Sequence, residues 1–427
     1  MKVVRPKIAV LVDLPANAQA GGHVKMWQSL AEAAARSHLP IDLTVYFSGT
    51  PFTVPLAPHV RALHIPPVFS TARLKFLPYL PDHTDIAAYH RQLARHLRSY
   101  DLVHTTDAFF AFARTAERMQ KRAGFALVHS FHTDQPAYAA IFLRRSLQAK
   151  LGKGFASRLL VDGIKLPLLA RERMLYQQRR HLRLCDHVLA IRPEDKALAE
   201  HYTSTAQVSR LRLGVDRALF RPDAEQRSVL CAALNIPSNR LLILFVGRLD
   251  EGKNIHPLIT ACRALRQQGF APHLVAAGIG PAAATVTSEL GDHATLCGYL
   301  QPEALAKLYG GCDLLAIPSE VEIGSLVLIE ALASGLPVLV SAGSQLATLH
   351  GPSAALQAVA SGSEAWAAVL RDIMTSPNAL SAMHEAARVY SRARIADWNS
   401  ILREDLFPAW EQALARRAQL LPSKMAA

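Results

Sequence analysis

Residues 318–341 read PSEVEIGSLVLIEALASGLPVLVS, and this stretch decides how the chain folds. It opens on the tail of an apolar run, DLLAIPS, that predicts a buried strand. A short amphipathic helix follows. Gly335 offers that helix a left-handed C-terminal cap, and Pro337 bars its continuation. The apolar run LPVLVS then predicts the next strand. The helix begins near Gly324 and Ser325, where free backbone N–H groups make a natural anion site. Glu322 stands at that mouth, and Glu330, seven residues intervening, lies over a turn further in. Two carboxylates so spaced would hold neutral hydroxyl groups on either side of a bound phosphate. Sugar hydroxyls, diphosphate and ribose hydroxyls come in that order in a nucleotide sugar. A glutamate on a helix is more often simply solvated, but the apolar run around these two leaves little solvated face.

The same alternation runs outward through most of the chain. The first half offers KIAVLVDL, IDLTVYF, VRALHI, DLVHTT, FALVHSF and HVLAI as strands, and the second LLILFVG, PHLVAAG, ATLCGYL, DLLAIPS and LPVLVS. Helical patterns such as HVKMWQSLAEAAARS, HPLITACRALRQQG and PEALAKLYGG lie between them. A βαβ rhythm that occurs twice predicts two parallel-sheet domains with helices on both faces. The 427 residues, 50% of them hydrophobic, suffice for two sizeable cores. Periodicity breaks near LGVDRALFRPDAEQRS, which sets expected domains at 1–220 and 221–393. The last segment, 394–427, is helical. Its Trp398, Phe407 and Trp410 need burial, so it is expected to pack back across a domain. With two open sheets, ligands belong beyond the strand carboxyl ends, in a cleft between the domains.

Bulk properties exclude several classes. With 19% charged residues the chain is not disordered. No apolar run reaches the ~20 residues that span a bilayer. The start, MKVVRPKIAVLVDLP, reads as a first strand and not as a signal peptide. Five cysteines, at 185, 231, 262, 297 and 312, form no CxxC pair and no metal spacing, as expected of reduced thiols in a cytosolic protein. The net charge of +13 favours an anionic partner without choosing among nucleic acid, anionic lipid and a phosphorylated substrate.

A second phosphate signal lies in LLILFVGRLDEGKNI, a strand, a glycine turn and a helix start. Gly247, Gly252, Lys253 and Asn254 come within one residue of the P-loop pattern G-x-x-x-x-G-K-[ST]. That pattern needs Ser or Thr to hold magnesium, and Asn254 is a poor substitute. Either reading puts phosphate beside Arg248 and Lys253 as charge-assisted donors. Downstream, AAGIGP places Gly278 and Gly280 after another strand, which alone marks only a turn.

Together these segments resemble the retaining GT-B glycosyltransferases of the family-4 kind, also called group 1. The resemblance covers most of the chain and rests on AGGHVKMWQSLA, SFHTDQPAY, RLGVDRALFRP, FVGRLDEGKN, GIGP and the quoted 318–341 stretch, in the family's order. It implies an α/β fold of GT-B architecture: two Rossmann-like domains facing a cleft, with the C-terminal helix returning to the N-terminal domain. The N-terminal domain would take the acceptor and the C-terminal domain the nucleotide-sugar donor. The resemblance implies that Arg248 and Lys253 take the diphosphate as leaving group, beside Gly247, Gly278 and Gly280. Glu322 would hold donor-sugar hydroxyls, with the N–H groups of Ile323, Gly324 and Ser325 nearby, and Glu330 the ribose hydroxyls. Gly21 and Gly22 would let the first loop approach donor phosphate or acceptor, next to His23. His132, with Thr133, would lie at the reaction centre. Fixed cations aimed at the departing diphosphate lower the barrier electrostatically, so no metal or other cofactor is expected. His132 is the obvious titratable group, either a base or a positioning residue, since the departing phosphate can itself take the acceptor proton. The chain departs from the family's pattern at two places: Ile323-Gly324-Ser325 stands where members often have Gly-Phe-Gly, which bears on the donor sugar, and Arg192 where a serine often stands, an extra cation that would reach phosphate or acceptor.

Residues 141–183, IFLRRSLQAKLGKGFASRLLVDGIKLPLLARERMLYQQRRHLR, interleave many Arg and Lys with Leu, Ile, Phe and Met, against only Asp162 and Glu172. This composition suits a helix lying on anionic lipid. It predicts peripheral contact with the cytoplasmic face of the membrane and a lipid-linked or glycan acceptor. A solvated helical face with a buried stripe is the plainer alternative. Nucleic acid is not expected, because no stacking aromatics interleave with the basic residues. The expected function is thus transfer of a hexose from a UDP- or GDP-sugar to such an acceptor. A non-catalytic sugar-nucleotide or polyanion binder and a nucleotide-sugar epimerase are the alternatives.

Overall fold

The computed structural model describes residues 5–17, 20–73, 84–152, 154–320, 322, 324–350, 353–376 and 378–420. The chain divides into two compact units. The first runs to Arg212 and takes back the chain from Trp398 on; the second is Leu213–Asp397.

The first unit is built on strands β1 (Lys7–Pro15), β2 (Asp42–Ser48), β3 (Phe52–Ala57), β4 (Val60–Ile65), β5 (Leu102–Thr105), β6 (Ala126–Ser130), β7 (His187–Ala190) and β8 (Val208–Arg210). They form one sheet in the order β3-β4-β2-β1-β5-β6-β7-β8. All neighbours are parallel except β3, which runs antiparallel to β4 at the edge. The interior strands are continuous apolar runs because both faces are covered: Ile8 to Val12 are at most 1% exposed. Strand β3, FTVPLA, carries Pro55 and is largely exposed, as an edge tolerates. Its weak burial is why periodicity does not announce it.

The C-terminal segment belongs to this unit. After helix Trp398–Ile401 and a π-helical turn at Leu402–Leu406, helix Phe407–Leu420 packs against β6 and β7. Trp398 and Trp410 are buried as expected, whereas Phe407 is only half-buried. The Arg212 guanidinium fastens the segment, donating to Asp405 at 2.6 Å and to Glu404 at 2.7 Å.

The second unit holds a six-stranded, wholly parallel sheet of β10 (Leu241–Val246), β11 (Pro272–Ala277), β12 (Ala294–Gly298), β13 (Leu314–Ile317), β14 (Val338–Ser341) and β15 (Leu356–Val359). Its order is β12-β11-β10-β13-β14-β15. Alternation along β10 sends Leu242 and Leu244 into one core and Ile243 and Phe245 into the other, so helices cover both faces. A small ladder pairs β9 (Gly214–Val215) with β16 (Ala396–Asp397). That ladder explains why the units part at 212/213 and 397/398 and not at 220/221 and 393/394. The residues on either side of it look like linkers in sequence, yet they pair with each other. Among the described residues no helix is long and apolar enough to cross a membrane.

Candidate functional site

In the second unit, sheet order reverses between β10 and β13. The chain goes from β10 to β11 and β12 on one side, then returns to β13 on the other. Open α/β sheets take ligands at the strand carboxyl ends beside such a reversal. The loops leaving β11, β10 and β13, three neighbours, carry most of the residues singled out in the C-terminal half.

Glycine makes the first two loops fit together. Gly278 has φ +149°, and a Cβ there would sit 1.8 Å from the Gly247 carbonyl oxygen. At Gly280 (φ +156°) the clash would be with Leu249 O at 2.3 Å. Backbone bonds from Gly247 N to Ala277 O (3.0 Å) and Leu249 N to Ile279 O (2.9 Å) hold the loops in this contact. GIGP is therefore more than a turn: its bare backbone lies directly against the β10 loop.

That loop presents its cations to the β13 loop. The Lys253 ammonium donates to Glu322 Oε1, which also accepts from Ser319 Oγ at 2.9 Å. Asp250 organises the turn: its Oδ1 accepts from Lys253 N at 3.0 Å, and its Oδ2 lies 3.1 Å from Arg248 Nε. The Arg248 side chain is otherwise 72% exposed, a cation able to swing onto a ligand. Asn254, the residue that spoils the P-loop pattern, sits at φ +53° and donates its amide to Pro318 O at 3.2 Å. It ties the two loops together and is not placed as a magnesium ligand, since the helix starts only at His256.

Ser325 caps the helix Leu326–Ala333, accepting from Leu328 N at 3.4 Å, with Gly324 just before it. Gly335 follows the helix at φ +74°. Ile323 lies outside the described residues. Glu330, within the helix, accepts from the buried Tyr309 hydroxyl at 3.0 Å. Burial, and then the Glu330 carboxylate, push that phenol well above its usual pKa, so it stays a donor. The structure thus joins Lys253 to Glu322 directly, keeps Arg248 on the same loop, and orients Glu330 through a different partner. Tyr309 belongs to no sequence motif, and Ser319, though inside the 318–341 stretch, is not among the residues singled out there.

In the first unit, sheet order reverses between β1 and β5. A small pocket of about 20 Å³, room for one water, lies past their carboxyl ends and that of β6. Asp13, His23, Asp107, Ser130, His132 and Thr133 are among its lining. The rings of His23 and His132 stack at 4.3 Å, 9° from parallel. His132 Nε2 lies 2.7 Å from Ser130 Oγ and accepts from Trp27 Nε1 at 3.4 Å. Burial pushes the His132 pKa well down, and His23, His104 and His129 push it further; burial takes His23 down to about 3. Both rings are therefore neutral near neutral pH. Asp13 Oδ2 accepts from Phe112 N at 3.0 Å, while its buried Oδ1 has no partner among the described residues. Burial, with Asp107 next, raises the Asp13 carboxyl well above the usual range.

Gly21 is the extended N-cap of helix Gly22–Arg36, and a Cβ there would meet nothing within 4 Å. No contact with a described residue requires a glycine at that position. In the HTD triplet, Thr133 O accepts from Gln135 N at 2.9 Å, and Asp134 caps helix Gln135–Leu151 through Ala137 N at 3.1 Å. HTDQP is thus also a helix start, with Asp at the N-cap and Pro in the first turn. The expectation for Arg192 needs correcting. Its guanidinium is buried and grips Asp195 with two bonds of 2.6 Å, so its charge is matched within the chain. Among the described residues, no three His, Cys, Asp or Glu side chains group as metal ligands do.

Two Rossmann-like units, each with polar side chains gathered where its sheet order reverses, define the class as a two-domain α/β protein. Comparison with known proteins narrows it. The model for glycosyltransferase family 4 matches residues 20–219, and that for glycosyl transferases group 1 matches residues 227–390. The chain is 26% identical, over 81% of its length and 82% of the relative's, to a D-inositol 3-phosphate glycosyltransferase of Xylanimonas cellulosilytica. Sucrose-phosphate synthase from Thermosynechococcus elongatus matches at a TM-score of 0.69 and 23% identity, covering 97% of this chain and 99% of that one. Anabaena HepE, in complex with UDP and glucose, matches at a TM-score of 0.62 and 15% identity, covering 98% and 100%. The chain belongs to the group 1 glycosyltransferases of GT-B fold.

Proposed function

We propose that the chain is a retaining, metal-independent hexosyltransferase that moves a sugar from a UDP- or GDP-sugar to a membrane-associated acceptor, lipid-linked or glycan. The observation that carries this reading is the Lys253–Glu322 pair across the β10–β13 reversal. It sets a cation for diphosphate and a carboxylate for sugar hydroxyls side by side. Lys253 and Arg248 neutralise the departing diphosphate, the task a divalent cation would otherwise perform. Glu322 orients the sugar, and Glu330, held by Tyr309, takes the ribose hydroxyls. Gly21, Gly22, His23, His132 and Thr133 face the acceptor. The relatives lend support: one is named for an inositol phosphate acceptor, and one neighbour was crystallised with UDP and glucose. Glu322→Ala should reduce transfer at least about 100-fold, the scale of losing a group that positions the reacting sugar, while the thermal midpoint holds. Transfer unchanged in that variant rejects the site.

The membrane part of the reading rests on where 141–183 puts its apolar residues. Helices Gln135–Leu151 and Leu166–Leu182 pack along each other. The segment between them exposes Phe155 (83%), Leu159 and Ile164, and the first turn of the second helix exposes Leu168 and Leu169. Arg158, Lys165 and Arg171 stand among them. A buried stripe would have hidden these apolar side chains; exposed and ringed by cations they suit an anionic bilayer surface. Phe155→Ser with Leu169→Ser should abolish flotation with vesicles containing anionic lipid. Equal flotation of wild type with neutral and anionic vesicles removes the membrane claim.

A further inference from the structure

A chain of side-chain hydrogen bonds runs from the C-terminal helix to His132. Trp410 Nε1 donates to His104 Nδ1 at 3.0 Å, His104 Nε2 lies 2.8 Å from Ser130 Oγ, and Ser130 Oγ lies 2.7 Å from His132 Nε2. Trp27 Nε1 reaches the same His132 nitrogen from another side. An indole N–H is only ever a donor, and a neutral imidazole has one donor and one acceptor nitrogen. These two rules set the ends of the chain, and the Trp27 indole settles its middle. Trp410 makes His104 Nδ1 an acceptor, so His104 carries its proton on Nε2 and gives it to Ser130. Because the Trp27 indole N–H donates to His132 Nε2, that nitrogen is an acceptor, and the Ser130 hydroxyl 2.7 Å away donates its own hydrogen to it. Two donors now converge on that nitrogen, which leaves the His132 proton on Nδ1.

We infer that Trp410, His104 and Ser130 are positioning residues that hold His132 as its Nδ1–H tautomer, a hydrogen-bond donor toward the pocket and not a base. Nδ1 makes no hydrogen bond to a described residue, and the ring lines the pocket. A group meeting His132 there finds an N–H, suited to an electronegative oxygen on the sugar or the leaving phosphate. The acceptor hydroxyl must then lose its proton to another group. Burial, which takes His104 down to about 3, keeps that ring neutral as the chain of protons requires. The link also gives the returning C-terminal helix a task beyond packing: Trp410 sits 306 positions from His104 in sequence.

For its catalytic consequence the inference rests on the proposed function; for the tautomer it does not. Two-bond proton–nitrogen NMR of histidine-labelled full-length protein should show His132 protonated at Nδ1 and His104 at Nε2. Trp410→Phe should leave the protein folded and give His104 and His132 mixed tautomer signals. Ser130→Ala should lower kcat roughly 10-fold, about the worth of one orienting hydrogen bond, and Ser130→Thr, which keeps the hydroxyl, should restore it. His132 protonated at Nε2, or doubly protonated, at neutral pH overturns the inference whatever the enzyme transfers. The predicted tautomers without any glycosyl transfer would instead refute the function and leave the proton arrangement standing. A Ser130→Thr variant no better than Ser130→Ala removes the positioning role.

Discussion

Replacing Gly278 with alanine tests whether the β10 and β11 loops must touch for the second unit to work. The new Cβ would lie 1.8 Å from Gly247 O and 2.8 Å from Gly247 C, against a floor of 3.0 Å for real Cβ contacts. Both obstacles are backbone atoms, so no rotamer change relieves them, and the loops must part by more than an ångström. The alanine must also hold φ +149°, which costs about 1–2 kcal/mol. Overpacking adds about 1–3 kcal/mol, for a loss of roughly 2–5 kcal/mol in all. Because Arg248 and Lys253 ride on the displaced loop, transfer should fall at least about 100-fold, as ångström-scale misplacement does. Gly269→Ala is the control. It too has positive φ (+87°), but nothing among the described residues lies within 4 Å of its Cβ, and it precedes the N-terminal end of β11, at the opposite end of the strands. That variant should lose about 1–2 kcal/mol and keep its transfer rate within about twofold. Urea unfolding and initial-rate transfer from a labelled nucleotide sugar, run on both variants, decide it. If Gly278→Ala matches Gly269→Ala in both measurements, the close approach of the two loops is not what these glycines are for.

Tyr309→Phe removes the hydroxyl that donates to Glu330 at 3.0 Å. Steady-state kinetics should show donor KM raised about 10-fold, one charge-assisted hydrogen bond's worth, with kcat nearly unchanged. Glu117→Gln probes the buried His181, whose Nδ1 lies 2.8 Å from Glu117 Oε1. Burial alone would lower the His181 pKa, but Cys185 and then Glu117 raise it from 6.5 to about 10. A folded-state pKa above the unfolded one means stability present in full below about pH 6.5 and lost as pH rises through about 10. Urea midpoints should therefore put the variant about 3 kcal/mol below wild type at pH 6, with the gap closing above pH 10; a gap independent of pH contradicts the ion pair.

The framework was legible because parallel strands covered on both faces are written as unbroken apolar runs. IAVLV in β1, LLILFV in β10 and VLVS in β14 could be little else. Strand β3 escaped notice because an exposed edge needs no such run, and the β9–β16 ladder because two residues carry no period. Of the site, the local parts could be read: a helix cap at Gly335, a helix start near Gly324 and Ser325, and a glycine turn with a lysine. What could not be read depends on distant pairings. The Arg192–Asp195 pair is the local exception, since an acid three residues on was a signal available in the sequence. Tyr309 is tied to Glu330 across 21 positions and Trp410 to His104 across 306, and no pattern announces either.

The pairing of Lys253 with Glu322 bears on how the proposed site would handle a charged donor. The two side chains are 33% and 11% exposed, partly withdrawn from water and compensating each other. A diphosphate carries more negative charge than one carboxylate and offers several oxygens, so it draws the ammonium away from Glu322. A mostly buried carboxylate that loses its cation would be costly. Ser319 Oγ still donates to the same Glu322 oxygen, at 2.9 Å, and keeps the carboxylate pointed where it was. The sugar hydroxyls of the same donor then replace what Lys253 gave up. Diphosphate alone frees Lys253 but offers Glu322 nothing, whereas the complete nucleotide sugar satisfies both residues. If the proposed function holds, the site should therefore bind the intact donor more tightly than the nucleotide diphosphate product, and titration calorimetry with the two ligands checks it; equal affinity contradicts this role for the Lys253–Glu322 pair.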